Sequence, residues 1–394
     1  MFTYKTFNNI AEDGLAVMAS KNISDVPENP DALILRSHKL LAKEFGNNLS
    51  AIARAGAGVN NIPIKDATDI GVVVFNTPGA NANAVKELVI CGMLLSSRGI
   101  VDGINFAKNL DSSDTDVLNK MLEAQKKTFA GNELAGKTIG IVGLGAIGSM
   151  LAQASQALGM KLVGFDPHIS IDSAWRLPRE VKKAETLEDL LKQSDYVSLH
   201  VPLVEATKNL INASNLKYFK SDARLINLSR GGIVNSNDVI QALENGQLSK
   251  FVTDFPTPEL IERSAKHNDV ILLPHMGAST KEAEVNCAVM AANQIANFLH
   301  RGVIINSVNF PNVSLERSTP YRLVIITKNE PGMISKITDS IASLNLNIAE
   351  MSNKSRDEIA INLIDLEHEA SDELVSQLKS IEHVLKVRSI NTAS

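Results

Sequence analysis

Cysteine is scarce in this chain. Of 394 residues only Cys91 and Cys287 are cysteines, and they stand far apart in apolar stretches. Disulfide frameworks and cysteine-based metal sites need several cysteines at short, regular spacings. The sequence therefore predicts neither a disulfide-stabilised domain nor a bound metal, and it favours a reducing compartment.

Long apolar runs and a basic excess are also missing. No window reaches 18 uninterrupted apolar residues, the length expected of a membrane-spanning helix. The formal net charge of -5 argues against a nucleic-acid-binding surface, which needs a strong basic excess. The first residues lack a basic segment followed by an apolar run, so no secretory signal is predicted. We expect a cytoplasmic protein with neither membrane nor nucleic acid as a partner.

Apolar strand patterns alternating with amphipathic helix patterns dominate what is present. In the first ninety residues, runs such as "GVVVFNTPG" end in turns and are separated by helical patterns. A second series, from about 137 to 273, contains six strand patterns with helical patterns between most of them. Continuous apolar strands separated by helices indicate parallel sheets covered on both faces. The predicted fold class is α/β, with a flavodoxin-like first domain and a Rossmann second domain, both doubly wound.

The end of the chain carries a smaller pattern. Residues 320–394 show the order β-α-β-β-α-β, which is typical of a ferredoxin-like domain. A long amphipathic helix after His275 is expected to return to the first domain. The predicted organisation is a discontinuous first domain at 1–92 and 280–307, a nucleotide-binding domain at 93–279, a linker at 308–319 and a small domain at 320–394.

A glycine motif predicts a cofactor site in the second series. Gly143, Gly145 and Gly148 form G-x-G-x-x-G directly after a strand pattern and at the start of a helix pattern. Such glycines allow a tight turn and bring backbone N–H groups close to a pyrophosphate. Asp166 follows at the next strand end, where a carboxylate accepts from ribose hydroxyls and repels a 2′-phosphate. NAD is therefore predicted over NADP; the alternative is a glycine turn that only packs a helix on a strand.

Strand ends of the same series supply candidate catalytic side chains. Arg230 follows one strand pattern directly, Glu259 lies in "DFPTPE", and His275 lies in "PHMG". Ligands bind at the carboxyl edge of such sheets. A 2-oxo acid needs a bidentate cation for its carboxylate and a proton donor for its carbonyl oxygen. Arginine suits the first task, and histidine held protonated by a carboxylate suits the second. Singly, His275 also fits a packed histidine and Glu259 a solvated loop acid.

These residues give the chain its resemblance to the D-isomer-specific 2-hydroxyacid dehydrogenases. The segments that carry it are "ARAGAGVNNI", "GNELAGKTIGIVGLGAIG", "INLSRGGIV", "PHMGASTKEAE" and "VNFPNVSL". The resemblance implies an NAD-dependent oxidoreductase in which His275 is the acid/base, Glu259 keeps its imidazole charged and Arg230 orients the substrate carboxylate. Besides the three glycines, the residues it implies at the cofactor are Ala146, Ile147, Asp166, Val201, Leu228, Ser229, Asp254, Gly277 and Ala278.

Basic residues of the first domain predict which acid is the substrate. Arg36 and Arg54 follow strand patterns at places where similar enzymes bind a phosphate. The resemblance implies 3-phosphoglycerate as the substrate, oxidised in the first step of serine biosynthesis. Lys126 or Lys127 is a further candidate for its phosphate. The other expected substrate contacts are Ala55, Gly56, Ala57, Gly58 and Asn76. Surface salt bridges are the alternative interpretation of the basic residues.

Two other functions stay open. One is a dehydrogenase of another D-2-hydroxy acid, such as glycerate, lactate or 2-hydroxyglutarate. The other is an NAD-sensing corepressor, which would need a peptide groove or a long disordered tail that the sequence does not predict. Two departures from the family pattern also matter. Ala146 replaces a longer polar side chain, so weaker NAD affinity is expected, and the proline-rich "DFPTPE" leaves the position of Glu259 less certain.

The segment "ITKNEPGMISKITDSIASLNLNIAEM" resembles an ACT domain, a small-molecule regulatory module. Such domains pair edge to edge, so a homodimer or homotetramer is expected. The resemblance implies serine as a feedback effector, bound by Asn329 and Asn347, whose amides both donate and accept. Thr327 replaces an expected histidine, which removes one effector contact. The alternative is a purely structural dimerisation domain.

Overall fold

Three sheets organise the computed structural model, which describes residues 1–392. The chain divides into two units. The first consists of Met1–Asn81 and Lys281–Ser394, and the second is Ala82–Thr280. The boundary predicted at residue 92 falls within the helix Ala82–Ser97, whose residues all belong to the second unit.

The N-terminal part of the first unit is a parallel sheet. Its strands are β1 (Phe2–Phe7), β2 (Ile23–Asp25), β3 (Ala32–Leu35), β4 (Ala51–Arg54) and β5 (Val73–Phe75). Its helices are α1 (Glu12–Ser20) and α2 (Ile64–Asp69), with a short 3-10 helix at Ala42–Glu44. The strand order is β2-β1-β3-β4-β5, the flavodoxin-like order predicted from the sequence. Every residue of β3 and β5 is buried because both faces of the sheet are covered.

The second unit begins with α3 (Ala82–Ser97), α4 (Ile100–Lys108), α5 (Thr115–Gln125) and a 3-10 helix at Lys126–Phe129. Its strands are β6 (Thr138–Val142), β7 (Lys161–Phe165), β8 (Lys182–Lys183), β9 (Tyr196–Leu199), β10 (Arg224–Asn227), β11 (Lys250–Thr253) and β12 (Val270–Leu272). The intervening helices are α6 (Ala146–Ala157), α7 (Ile171–Ala174), α8 (Leu187–Gln193), α9 (Ala213–Leu216), α10 (Ser236–Glu244) and α11 (Pro258–Lys266), with a 3-10 helix at Glu205–Thr207.

The strand order of this sheet is β12-β11-β10-β9-β6-β7-β8, with parallel pairing throughout. The order reverses at β6, whose neighbours are β7 and β9, which is the topological switch point of a Rossmann fold. The predicted Rossmann topology is confirmed, with one strand more than the six predicted. The added strand, β8, was missed because it consists of two exposed lysines and has no apolar pattern.

The chain returns to the first unit through α12 (Lys281–Arg301). Buried residues such as Ala291, Ile295 and Phe298 place its apolar face in the core that it shares with the first sheet. Among the described residues, no helix is both long and apolar enough to span a bilayer.

The C-terminal part of the first unit is an antiparallel sheet with two helices. Its elements are β13 (Tyr321–Lys328), α13 (Met333–Ser343), β14 (Ile348–Arg356), β15 (Ile359–Leu366), α14 (Asp372–Ser380) and β16 (Val384–Asn391). The strand order is β14-β15-β13-β16, which confirms the predicted ferredoxin-like arrangement. One face packs under α13 and α14, while the opposite face joins the core of the first sheet. All eight residues of β15 are buried because both of its faces are covered.

Arginines of the C-terminal part bind the end of α12. The carbonyls of its last residues accept from arginine side chains: Phe298 and Leu299 from Arg388, His300 from Arg317, and Arg301 from Arg322. Carbonyls in the last turn of a helix lack most of their helical N–H partners, although that of Phe298 also accepts from the Gly302 N–H at 2.9 Å. Cations are favourable beside a helix C-terminus. Burial lowers the pKa of Arg388 to about 10. The antiparallel sheet is thus attached to α12 by directional bonds as well as by apolar packing.

Candidate active site

The glycine motif forms the turn between β6 and α6. Gly143 has a φ of 88°, and a Cβ there would lie 2.5 Å from the carbonyl oxygen of His200. A Cβ at Gly148 would lie 2.1 Å from the carbonyl oxygen of Gly143. At Gly145, by contrast, a Cβ would meet nothing within 4 Å. The outer two glycines therefore allow close packing of the turn, and the middle one borders open space at the start of α6.

Asp166 follows β7 and braces this turn. One of its carboxylate oxygens accepts from the N–H of Leu144 at 2.8 Å, and the other accepts from the N–H of His168 at 2.9 Å. Each carboxylate oxygen has a further lone pair. Asp166 therefore retains acceptor capacity beside the glycine turn, as its predicted role at a ribose requires.

Arg230 lies just beyond β10 in a turn that Asn227 fixes. The Asn227 side-chain oxygen accepts from the N–H and the hydroxyl of Ser229, and its amide donates to the Arg230 carbonyl at 2.9 Å. The Arg230 guanidinium donates to the Ser229 carbonyl at 2.7 Å and is exposed. Asn227 was missed from the sequence, although a polar residue at the last position of an apolar strand was a usable signal.

Asp254 and His275 lie at the same edge of the sheet. Asp254 is 1% exposed, and one of its carboxylate oxygens accepts from the N–H of Gly277 at 3.1 Å. The other oxygen is buried without a hydrogen-bond partner among the described residues. Burial raises the pKa of Asp254, and the Gly277 N–H and the nearby charges of His275 and Arg230 partly oppose that rise. The structure therefore places three of the predicted residues, Arg230, Asp254 and His275, close enough for their charges to interact.

His275 has an unusual backbone conformation. Its φ is 48°, and its N–H donates to the carbonyl of Asp254 at 3.1 Å. Its exposed imidazole lies beside the ring of Phe255, with 4.9 Å between the ring centroids. A positive φ is uncommon for a residue other than glycine and occurs where the surroundings fix the backbone.

Glu259 is not brought to His275. It lies exposed in the first turn of α11, where hydrogen bonds from its own N–H and from the Thr257 hydroxyl lower its pKa. Within residues 1–392 neither a hydrogen bond nor an ion pair joins it to His275. The prolines of "DFPTPE" account for this, because Pro258 starts α11 and so commits Glu259 to the helix N-terminus. The His275–Glu259 pair stays a prediction.

The predicted substrate residues of the first unit form a bonded loop. Arg54 donates from Nε to the carbonyl of Arg36 at 2.9 Å and from Nη1 to the carbonyl of Gly58 at 2.5 Å. Asn76 donates to the carbonyl of Ala57 at 2.7 Å. The loop from Ala55 to Gly58 is therefore held from two sides at the carboxyl end of β4. Arg36, which follows β3, forms an ion pair with Glu284 at 2.7 Å.

Comparison with known proteins decides the family. Residues 102–277 match the family model for the D-isomer specific 2-hydroxyacid dehydrogenase, NAD binding domain. The D-3-phosphoglycerate dehydrogenase of Haemophilus influenzae is 35% identical over 327 residues, which cover 80% of this chain and 75% of that protein. The chain belongs to the D-isomer-specific 2-hydroxyacid dehydrogenases.

Further relatives extend the similarity. The D-3-phosphoglycerate dehydrogenase of Synechocystis is 36% identical over 312 residues, covering 77% of this chain and 54% of that protein. The crystal structure of NAD+-bound 3-phosphoglycerate dehydrogenase from Entamoeba histolytica matches with a TM-score of 0.60 and 25% identity, over 78% of this chain and 98% of that one. The present chain spans about half the length of several curated relatives that it matches.

The residues of the second unit suit NAD. The open space beside Gly145 leaves room for a pyrophosphate at the start of α6. The unpartnered carboxylate oxygen of Asp254 suits a carboxamide N–H, because a buried acceptor without a donor is costly. The carboxylate of Asp166 suits a ribose. NAD is the cofactor of this domain, as predicted. Among the described residues, no group of His, Cys, Asp or Glu could hold a metal ion.

His200 is a further polar residue of this site that sequence reasoning missed. It follows β9 at the switch point, and its carbonyl lies against Gly143. Its Nε2 lies 2.8 Å from the Ser198 hydroxyl, and its Nδ1 has no partner among the described residues. Burial lowers its pKa to about 4, so the imidazole is neutral near neutral pH. Its position directly after a strand pattern was the available signal.

Proposed function

We propose that this protein oxidises D-3-phosphoglycerate to 3-phosphohydroxypyruvate with NAD, as the first step of serine biosynthesis. The observation that carries the proposal is the similarity to proteins named D-3-phosphoglycerate dehydrogenase over 77% and 80% of the chain. The cluster of Arg230, Asp254 and His275 at one sheet edge supports a dehydrogenase in particular.

Four residues of the second unit have proposed roles in the reaction. The Arg230 guanidinium binds the substrate carboxylate, for which its fork of N–H donors is suited. His275 accepts the proton of the C2 hydroxyl, and NAD held by the glycine turn and Asp254 would supply the acceptor for the hydride that leaves C2. In the reverse direction the protonated imidazole returns the proton to the carbonyl oxygen. Glu259 is the proposed charge partner of His275, and Asp254 holds the nicotinamide carboxamide.

The first unit is proposed to select the phosphorylated acid. Arg36 directly follows β3, and Arg54 is the last residue of the neighbouring parallel strand β4. A guanidinium group suits a phosphate. The loop from Ala55 to Gly58 offers backbone N–H groups. Its geometry is fixed by the bonds that Arg54 and Asn76 make to its carbonyls.

The test is the substitution Arg36→Met, because Arg54 also holds the loop and its loss would disturb every substrate. Steady-state reduction of 3-phosphohydroxypyruvate should lose on the order of tenfold or more in kcat/KM, the scale of one charge-assisted contact. Reduction of hydroxypyruvate, which has no phosphate, should change little. Equal losses on both substrates would refute the phosphate assignment.

A second candidate is a dehydrogenase of an unphosphorylated D-2-hydroxy acid. The ion pair between Arg36 and Glu284 favours it, because it neutralises one of the two cations meant for a phosphate. In that case the wild-type enzyme would reduce hydroxypyruvate or pyruvate at least as well as the phosphorylated acid, and Arg36→Met would have little effect on either.

Feedback regulation by serine through the C-terminal part, as in an ACT domain, is also proposed. A cavity of 240 Å³ lies there between β13, α13 and β15, and Asn329 and the fully buried Thr327 line it. The Thr327 hydroxyl has no partner among the described residues, which suits a polar ligand. Asn347 does not line the cavity and instead donates to Glu367 at 2.9 Å. Serine that changes neither velocity nor thermal midpoint would leave a structural role only.

A homodimer or homotetramer completes the proposal. Helices α3, α4 and α5 of the second unit carry apolar side chains that are more than a third exposed: Leu94, Val101, Ile104, Val117, Met121 and Leu122. Burial of such a surface favours self-association. Light scattering after size exclusion should give a mass of at least two chains. Both cysteines are free, which suits the proposed cytoplasmic location.

A further inference from the structure

The carboxylate of Glu284 is paired with Arg36, one of the two arginines proposed to bind the substrate phosphate. It lies in the first turn of α12, and its Oε1 is 2.7 Å from Nη1 of Arg36, which follows β3. The two side chains are 45% and 40% exposed. An anion in solution can therefore reach the arginine, and a carboxylate is already bound there.

The two arginines are engaged in different ways. The Arg54 guanidinium donates hydrogen bonds to the backbone carbonyls of Arg36 and Gly58. The Arg36 backbone is fixed by this bond and by one from Asn61. The Arg36 guanidinium is held by a carboxylate instead. Its release thus needs side-chain rotation only, while the backbone of β3 and its loop stays in place.

Glu284 pairs directly with Arg36, and Arg54 donates to the backbone carbonyl of the same residue. The thiol of Cys287, one turn further along α12, interacts electrostatically with both arginines and with Glu284, and burial raises its pKa. The four groups therefore share one neighbourhood. From Cys287 onwards, α12 is anchored by buried residues, so the Glu284 backbone is not free to withdraw.

A half-exposed ion pair is weak and easily exchanged. Such pairs contribute little to stability, because water and salt compete with them. A phosphate dianion can replace the carboxylate with a charge-assisted, bidentate bond. The displaced carboxylate still repels the phosphate, which lowers phosphate affinity. A small anion suffers this repulsion without compensation, whereas a substrate gains further contacts through its carboxylate and carbonyl.

We propose that Glu284 is a specificity-determining residue. As a counter-ion it pairs with Arg36 until the substrate phosphate displaces it, and it lowers the affinity of the site for small anions. This inference rests on the proposed function, in which Arg36 binds phosphate. Glu284 would lower the affinity for the substrate to some extent, and it would also reduce inhibition by inorganic phosphate.

The test compares Glu284→Gln with Glu282→Gln, which removes the same charge from the same exposed helical turn. Glu284→Gln should lower KM for 3-phosphohydroxypyruvate on the order of fivefold, the effect of one charge at close range in water. The value of kcat and the KM for hydroxypyruvate should stay unchanged. Inorganic phosphate should inhibit hydroxypyruvate reduction more strongly in Glu284→Gln by a similar factor. Glu282→Gln should change none of these values.

The outcomes separate this inference from the proposed function. A wild-type enzyme without preference for the phosphorylated acid would overturn both. A wild-type preference that Glu284→Gln leaves unchanged, or that Glu282→Gln alters equally, would overturn the inference alone. A weaker phosphate affinity in Glu284→Gln would also overturn it, since Glu284 would then position Arg36 rather than compete for it.

Discussion

Replacing Asp365 by asparagine should destabilise the C-terminal part by about 3 kcal/mol, because the buried Arg322 guanidinium then lacks its counter-ion. Both side chains are fully buried. The guanidinium donates from Nε and Nη2 to the two carboxylate oxygens at 2.6 and 2.8 Å. It also donates to the carbonyls of Arg301 and Leu315 at 2.9 and 3.0 Å, so the pair joins the sheet to α12 and the chain that follows it.

The expected loss of stability depends on which hydrogen bonds the asparagine side chain retains. Breaking one side of a buried ion pair costs about 3–5 kcal/mol. The asparagine oxygen still accepts one bond from Arg322, and the arginine still has its carbonyl acceptors, so the lower end of that range applies. The double variant Arg322→Met with Asp365→Asn should lose less than the sum of the single losses, because no unpaired charge remains.

The assay is urea unfolding of the full chain, followed by circular dichroism for the wild type, both single variants and the double variant. A coupling energy of about 1 kcal/mol or more is expected for groups in direct contact. The reasoning would be refuted by an Asp365→Asn variant within about 0.5 kcal/mol of the wild type, the range of an ordinary surface substitution.

Low pH should remove the stability that the Arg322–Asp365 ion pair contributes. Burial raises the pKa of Asp365, but the bonds from Arg322 and Ser318 outweigh it, so the net pKa lies below its ordinary value. A depressed carboxylate pKa adds stability above the unfolded-state pKa, and this stability is lost as pH falls through the folded-state pKa. The gap between wild type and Asp365→Asn should therefore be constant near neutral pH and shrink below about pH 4.

Three further predictions concern the cofactor turn, Asp254 and the half-buried Lys386. Gly148→Ala should lower the thermal midpoint, because its Cβ would lie 2.1 Å from a carbonyl oxygen, whereas Gly145→Ala should keep the fold and weaken NADH binding about tenfold in a fluorescence titration. Asp254→Ala should also weaken NADH binding by a factor on the order of ten, since it removes a buried acceptor. Lys386→Met should raise the free energy of unfolding near neutral pH by up to about 3 kcal/mol, because burial lowers the Lys386 pKa from 10.5 to about 8. The cost of burying that charge is fully present below pH 8 and disappears towards pH 10.5, so the gain should shrink across that range. An unchanged midpoint for Gly148→Ala, NADH affinities equal to wild type, or a pH-independent effect at Lys386 would each contradict the reasoning.

Much of the fold could be predicted because its signals are local. The buried strands β3, β5 and β10 are short apolar runs, and the glycine turn after β6 has a fixed spacing. Strands of this kind place their carboxyl ends at one edge, which is why Arg230, Asp254 and His275 could be grouped from the sequence alone. Their grouping depends on topology and not on any side-chain detail.

Other features depend on contacts that no local pattern records. The Arg36–Glu284 ion pair joins residues from the two separate chain segments of the first unit, and no local sequence pattern links them. The same holds for the arginines that bind the end of α12. Glu259 stays the predicted partner of His275, but its place in the first turn of α11, which Thr257 caps and Pro258 begins, was not predicted. The buried pattern of β15 indicates that both faces are covered, but it does not name what covers them.

The most direct test of the central claim is NADH oxidation by the purified enzyme with 3-phosphohydroxypyruvate, with hydroxypyruvate, pyruvate and 2-oxoglutarate measured beside it. The proposed function predicts a kcat/KM for the phosphorylated acid that exceeds that for hydroxypyruvate by on the order of a hundredfold, the combined effect of two cations at a phosphate. Turnover confined to an unphosphorylated acid would contradict the substrate assignment, and no turnover with any of the four would contradict the enzymatic function itself.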